Sequence, residues 1–146
     1  MSDIRETFEV GAENFHRHYG VMDIPQNATG LSNKQRSLLD VAVRAAEASE
    51  VDQRHGSVVV KSGRVMSIGV NKWRNRDLLK PEGGYNTHLT VHAEIDALSR
   101  VTDARGAVVY IARVGKDGSE KFSRPCDRCA KALQDAGVKQ VIYTIG

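Results

Sequence analysis

The stretch TVHAEIDAL, residues 90–98, follows a polar, irregular segment and begins a helix expected over about 91–100. Beyond it the chain reads as a strand at AVVYIARV (107–114), a helix over about 125–136 and a last strand at QVIYTI (140–145). A helix ahead of each strand is the order in which helices cover a sheet, so an α/β domain with a mixed sheet is expected. Gly137 stands where the second of these helices would stop.

Upstream, RHGSVVV (54–60) and RVMSIGV (64–70) read as two short strands joined through KSGR, a hairpin. Ser32 is placed to cap a helix over 33–50 that turns Leu38, Leu39, Ala42, Val43 and Ala46 inward. DIPQNATGLS (23–32) reads as a connector. In residues 1–20, Ile4, Phe8, Phe15 and Tyr19 fall at spacings of four, seven and four, one helical stripe interrupted by Gly11. The expected organisation is therefore an N-terminal helix and connector over 1–32, followed by one domain over 33–146.

The bulk numbers agree with a single domain. The chain has 146 residues, 40% of them hydrophobic and 27% charged, enough for one core without disulfides. No apolar run approaches the roughly 18 residues that span a bilayer, and the acidic start lacks the features of a signal peptide. No membrane association and a cytoplasmic, reducing location are expected. The net charge of +3 is unevenly spread: residues 1–53 balance at −4 and residues 54–80 at +6. A basic segment of that kind suits an anionic ligand or a solvated loop equally well.

Chemistry enters with TVHAEIDAL and SRPCDRCAKAL (123–133), which holds both cysteines. A C-x-x-C pair at a helix start puts two sulfurs on one side of the first turn, where the helix dipole favours thiolates. Pro125 fits that turn because its missing N–H has no intrahelical partner. Such a pair either binds zinc or cycles as a redox disulfide. Adding the His92 imidazole to Cys126 and Cys129 makes a three-ligand zinc site with one tetrahedral position open to water, the pattern of catalytic zinc. His16, His18, His55 and His88 remain as residues that could close it. Two thiolates already neutralise Zn²⁺, so Glu94 is left for proton transfer.

Together, H-A-E and P-C-D-R-C, with 30 residues between Glu94 and Pro125, resemble the signature of zinc-dependent nucleobase deaminases. Over about residues 33–146 the chain is similar to the cytidine and deoxycytidylate deaminase superfamily. The resemblance implies a three-layer α/β/α fold with a mixed central sheet, a Zn²⁺ cofactor on His92, Cys126 and Cys129, and Glu94 as the catalytic acid and base. Enzymes for free cytidine typically carry a cysteine where His92 stands, whereas PCDRCAKALQDAGVKQVIY reads much like the deoxycytidylate deaminases. Where some of those carry G-Y-N-G, this chain has GVNKWRN.

The implied reaction converts a cytosine nucleotide, deoxycytidylate or a close relative, to the uracil nucleotide with release of ammonia. Two alternatives stand beside it: a deaminase of cytosine or adenosine in single-stranded DNA or RNA, and a catalytically silent zinc domain that binds nucleic acid. The resemblance also makes KWRNRDLLK (72–80) the substrate-facing loop. Asn71 would then bond the sugar and Lys72, Arg74, Arg76 and Lys80 the phosphate, with Ala93 as a further substrate contact. Trp73 would stack on the base or pack the loop against the core. Arg124 and Arg128 flank the cysteines as further cations. A homo-oligomer is implied, with the N-terminal aromatic stripe covering the sheet or pairing subunits.

Overall fold

The computed structural model describes residues 5–10, 18–23, 31–73 and 90–145, the first two segments as backbone only. In chain order the elements are β1 (Arg5–Val10), β2 (His18–Asp23), α1 (Asn33–Glu47), β3 (Arg54–Lys61), β4 (Arg64–Val70), β5 (Lys72–Trp73) and β6 (Thr90–Val91). They continue with α2 (Ala93–Leu98), β7 (Val108–Val114), β8 (Glu120–Lys121), α3 (Asp127–Asp135) and β9 (Gln140–Thr144).

The main sheet runs β1-β2-β9-β7-β3-β4, with β8 paired to β7. It is mixed, because β7 and β9 run parallel while β3 pairs antiparallel with both β4 and β7. Successive side chains on a strand point to opposite faces, and here each face carries its own core. Val58, Tyr110 and Ile142 pack with Leu39 and Ala42 of α1. Their neighbours Val59, Val109, Ile111, Val141 and Tyr143 pack with Ala97 of α2 and Ala130 and Leu133 of α3. Apolar residues at consecutive positions are what a strand covered on both sides requires, and the result is the three-layer α/β/α arrangement.

Local chemistry places most boundaries. Ser32 and Gln35 form a reciprocal capping box at the start of α1. Ser62 and Gly63 both have positive φ, 52° and 76°, the backbone of a two-residue turn whose twist suits the β3–β4 hairpin. At the end of α3, Gly137 takes φ 83°, and Val138 N–H and Gly137 N–H return to the carbonyls of Leu133 and Gln134. That is a Schellman stop.

The N-terminal helix expected from the sequence does not form. Residues 5–10 and 18–23 are antiparallel strands, and β2 pairs antiparallel with the free edge of β9, from Tyr19 opposite Thr144 to Asp23 opposite Gln140. Of the supposed stripe, Ile4 and Phe15 lie outside the described residues. Thr7 and Glu9 alternate with Phe8 and Val10, a short period-two pattern. Pairing with an open sheet edge satisfies a row of backbone groups, which a solitary helix interrupted by Gly11 does not match.

Helix packing against the sheet depends on two glycines. A Cβ at Gly56 would lie 2.3 Å from the Ala42 carbonyl oxygen of α1, and one at Gly69 would lie 2.4 Å from the Ala93 carbonyl oxygen of α2. Both obstacles are backbone, so only movement of the helix relieves them. Gly56→Ala and Gly69→Ala are each expected to lower stability by about 1–3 kcal/mol, read as a fall in the thermal midpoint. Because His92 and Glu94 ride on α2, only Gly69→Ala should also weaken metal binding in a zinc titration. Equal zinc affinity in the two variants would contradict this role for Gly69.

Candidate active site

Three chain segments meet at one end of the sheet. The short β5–β6 pair sets Lys72 opposite Val91 and Trp73 opposite Thr90. Asn71, just before β5, and His92, just after β6, are thereby drawn together although 21 positions apart in the sequence. The third segment, before α3, is held by buried hydroxyls. Ser123 N–H donates to the Thr144 carbonyl at 2.8 Å, and the Ser123 and Thr144 hydroxyls lie 2.9 Å apart. This clamp fixes where Pro125 and Cys126 emerge beside β9.

His92 is the N-cap of α2 and Cys126 the N-cap of α3, and neither side chain makes a capping bond. Each faces the other instead. His92 Nδ1 lies 3.1 Å from Cys129 Sγ and 3.9 Å from Cys126 Sγ, and all three donor atoms fall within 4.8 Å of one another. Bond lengths of 2.0–2.1 Å to nitrogen and 2.3 Å to sulfur at tetrahedral angles put neighbouring donors roughly 3.6–3.8 Å apart, the same scale. Burial, followed by the Glu94 carboxylate and Cys126, pushes the Cys129 thiol up, with Arg128 opposing. A divalent cation reverses that penalty by binding the thiolate directly. The donor set therefore fits zinc.

Glu94 is 4% exposed, and burial pushes its carboxyl up to about 7 against the opposing bond from its own N–H. A carboxyl with that value exchanges a proton readily near neutral pH. It lines a cleft of about 170 Å³ together with Asn71, His92, Ala93, Arg124 and Cys126. Asn71, 2% exposed, is locked in place there. Its Oδ1 accepts from the Ser49 hydroxyl at 2.6 Å and from His55 N–H at 2.8 Å, and its Nδ2 donates to the Gln53 carbonyl at 2.6 Å. One Nδ2 hydrogen remains for a ligand.

His55 lines the same cleft but stands outside the donor cluster, with Nδ1 2.9 Å from the Gln53 carbonyl. Burial holds its pKa down, helped by Arg113 and His92 and opposed by the Gln53 bond. Among the described residues the cluster thus has three members, and none of the other histidines closes it. His16 and His88 lie outside the described residues, as does the side chain of His18.

The expected phosphate contacts fare differently. Lys72 is turned to Asp96 Oδ1 at 2.8 Å and does not line the cleft. Asp96 also accepts from Arg100 and from Val70 N–H. Burial would raise the Asp96 pKa, but the Arg100, Lys72 and Val70 bonds outweigh it and hold the value down. This buried carboxylate ties α2 to the end of β4. Trp73 is half-buried beside Thr90; among the described residues its indole N–H has no partner, and it does not line the cleft. Arg74, Arg76 and Lys80 lie outside the described residues. Arg124 lines the cleft, whereas Arg128 is exposed on α3. Ser49, Gln53, Asp96, Ser123 and Thr144 carry no sequence signal, since each matters only through partners distant along the chain.

A three-layer α/β/α fold, two thiols and an imidazole whose donor atoms lie within 4.8 Å of one another, and a buried glutamate in the same cleft are the features of a zinc-dependent hydrolytic deaminase. The model of the cytidine and deoxycytidylate deaminase zinc-binding region matches residues 32–145, and the chain belongs to that family. Among solved structures, the dCMP deaminase of cyanophage S-TIM5 in complex with dCMP and dUMP is similar, at TM-score 0.58 and 20% identity, over 74% of this chain and 79% of that one. Its apo form aligns at TM-score 0.52 and 22% identity, over 71% and 76%. No curated protein matches the chain by sequence. Among the described residues, no helix is long and apolar enough to cross a membrane.

Proposed function

We propose that the protein deaminates a free cytosine mononucleotide, deoxycytidylate or a close relative, to the uracil nucleotide. The observation that carries this reading is the single cleft in which Glu94 stands beside His92, Cys126 and the locked amide of Asn71. Zinc held by His92, Cys126 and Cys129 supplies Lewis acidity and a water that is nucleophilic near neutral pH. The chain's own groups do the rest. Glu94 passes a proton to ring N3 as C4 is attacked, and another to the exocyclic amino group, which leaves as ammonia. Water is consumed and the ring gains a carbonyl. The spare Asn71 N–H suits a sugar hydroxyl, and Arg124 at the rim suits a phosphate, for which guanidinium offers paired donors. Arg74 and Arg76 belong to the same expectation through the +6 charge balance of residues 54–80. The closing segment and the dCMP complex of the cyanophage relative support the choice of nucleotide.

Ammonia release from a panel tests it: cytidine, its mono- and triphosphates in both sugar forms, the adenine counterparts and a cytosine-containing oligonucleotide. A mononucleotide should turn over, with KM raised in Arg124→Ala, Arg74→Ala or Arg76→Ala and only a shallow loss of affinity with salt. Turnover of the oligonucleotide alone, with the steep salt dependence of many phosphate contacts, would overturn the reading.

A homo-oligomer is part of the proposal. Val65, Met66 and Ile68 are each nearly half exposed on β4, an edge strand of the sheet, and support self-association. Light scattering at micromolar concentration should find more than one chain per particle; a monomer would refute it.

A further inference from the structure

A second cavity, of about 390 Å³, opens between the first turns of α1 and the far end of the sheet. It is separate from the active-site cleft. The cleft contains His55 at the start of β3 and lies by the N-termini of α2 and α3, whereas the cavity contains Val60 and Ser62 at the other end of β3 and lies under α1. Five residues of strand put about 17 Å between those ends, on top of the change of face.

The chemistry of its walls is uniform in sign. Among the described residues, Lys34 and Lys139 both line the cavity, no carboxylate does, and neither ammonium has an acidic partner. Lys34 Nζ lies against the tight turn at Gly63, where a Cβ would come within 2.8 Å of it. Ser32 and Gln35 satisfy each other at the helix cap, which leaves the first-turn N–H groups of Asn33 and Lys34 without intrahelical acceptors at the positive end of a 15-residue helix.

An independent observation comes from the floor of the cavity. Tyr110 is 2% exposed, lies in the middle of β7 between Val58 and Ile142, and lines the cavity, with no hydrogen bond from its hydroxyl to another described residue. The ring is buried in the sheet while the hydroxyl opens onto the cavity, where a ligand can accept from it. Burial pushes its pKa up to about 12, so it remains a donor. Leu38 and Val108 supply apolar wall beside it.

We propose that this cavity is a second ligand site, for a small phosphate monoester with an apolar or aromatic body. The phosphate sits between Lys34, Lys139 and the start of α1, and the body lies on Leu38 and Val108 with a polar atom accepting from Tyr110. The volume is in the range of small-molecule pockets. None of these residues belongs to the zinc cleft, so the inference stands whatever the substrate of that cleft.

Calorimetric titration of the full, zinc-loaded chain with phenyl phosphate, and separately with inorganic phosphate, tests the site. Saturable binding of phenyl phosphate is expected, weakened at least about tenfold in Lys34→Gln/Lys139→Gln and unchanged in Glu94→Gln. Tyr110→Phe, which keeps the ring and the fold, should weaken it less. Equal affinity for inorganic phosphate would overturn the part given to the apolar wall and Tyr110. An absence of saturable binding, or binding that the double lysine variant leaves intact, would overturn the site itself. The double variant should deaminate at the parental rate, which separates this cavity from the cleft.

Discussion

Glu94→Gln is expected to keep its zinc and its fold while losing deaminase turnover by at least about 10²–10⁴-fold, the usual contribution of one positioned acid–base group. The substitution preserves the volume of a side chain that is almost wholly buried, so packing around it barely changes. What disappears is the proton. Among the described residues no other carboxyl lines the cleft, and burial has already brought the Glu94 carboxyl to about 7, where it can both give and take one. His55, which also lines the cleft, has its pKa held down by burial and is engaged by the Gln53 carbonyl. It is badly placed to substitute. Metal analysis, circular dichroism and ammonia release on the same preparation separate the effects. Turnover near the parental rate would remove Glu94 from the mechanism; loss of zinc together with turnover would make its role structural.

Cys129→Ser should have a comparable effect by a different route. Cys129 is the buried member of the donor set, its sulfur 3.1 Å from His92 Nδ1. Serine offers a harder, far less acidic donor, and the other two ligands cannot hold the ion as tightly alone. Zinc per chain should drop from one to a small fraction after dialysis, with affinity reduced by more than the roughly 10–100-fold that indirect partners of metal ligands contribute. Since bound metal stabilises only the folded chain, the thermal midpoint should fall toward that of chelator-treated parent. His55→Ala is the control: it lines the cleft without joining the cluster and should retain the metal. Full zinc occupancy in Cys129→Ser would mean that the ion is held elsewhere.

Elements whose signals are local could be read directly from the chain. The β3–β4 hairpin announced itself through two apolar runs around Ser62–Gly63, a pair able to take positive φ. α1 announced itself through Ser32 and Gln35, and the end of α3 through Gly137. The H-A-E and P-C-D-R-C stretches were legible as one site because together, at their spacing, they resemble the signature of zinc-dependent nucleobase deaminases. The N-terminal segment was misread for the opposite reason. Whether Arg5–Val10 and His18–Asp23 become strands depends on the exposed edge of β9, more than 110 positions later in the chain.

The sequence by itself determined the class of chemistry, since a ligand set and its acid–base partner are matters of residue type and helix-start position. The order of helices and strands also pointed to helices on a mixed sheet, and the resemblance supplied the three-layer form. Among the described residues, tertiary structure alone decided which cation lines the cleft. Lys72 stands next to Asn71 in the chain, yet its ammonium is bound by Asp96, while Arg124 arrives at the rim from a segment anchored by Ser123 and Thr144. The physical reason is that side-chain direction alternates along a strand and a buried carboxylate recruits whichever cation the packing delivers. Neighbours in the chain are thus sent to different tasks, and only the folded geometry assigns them.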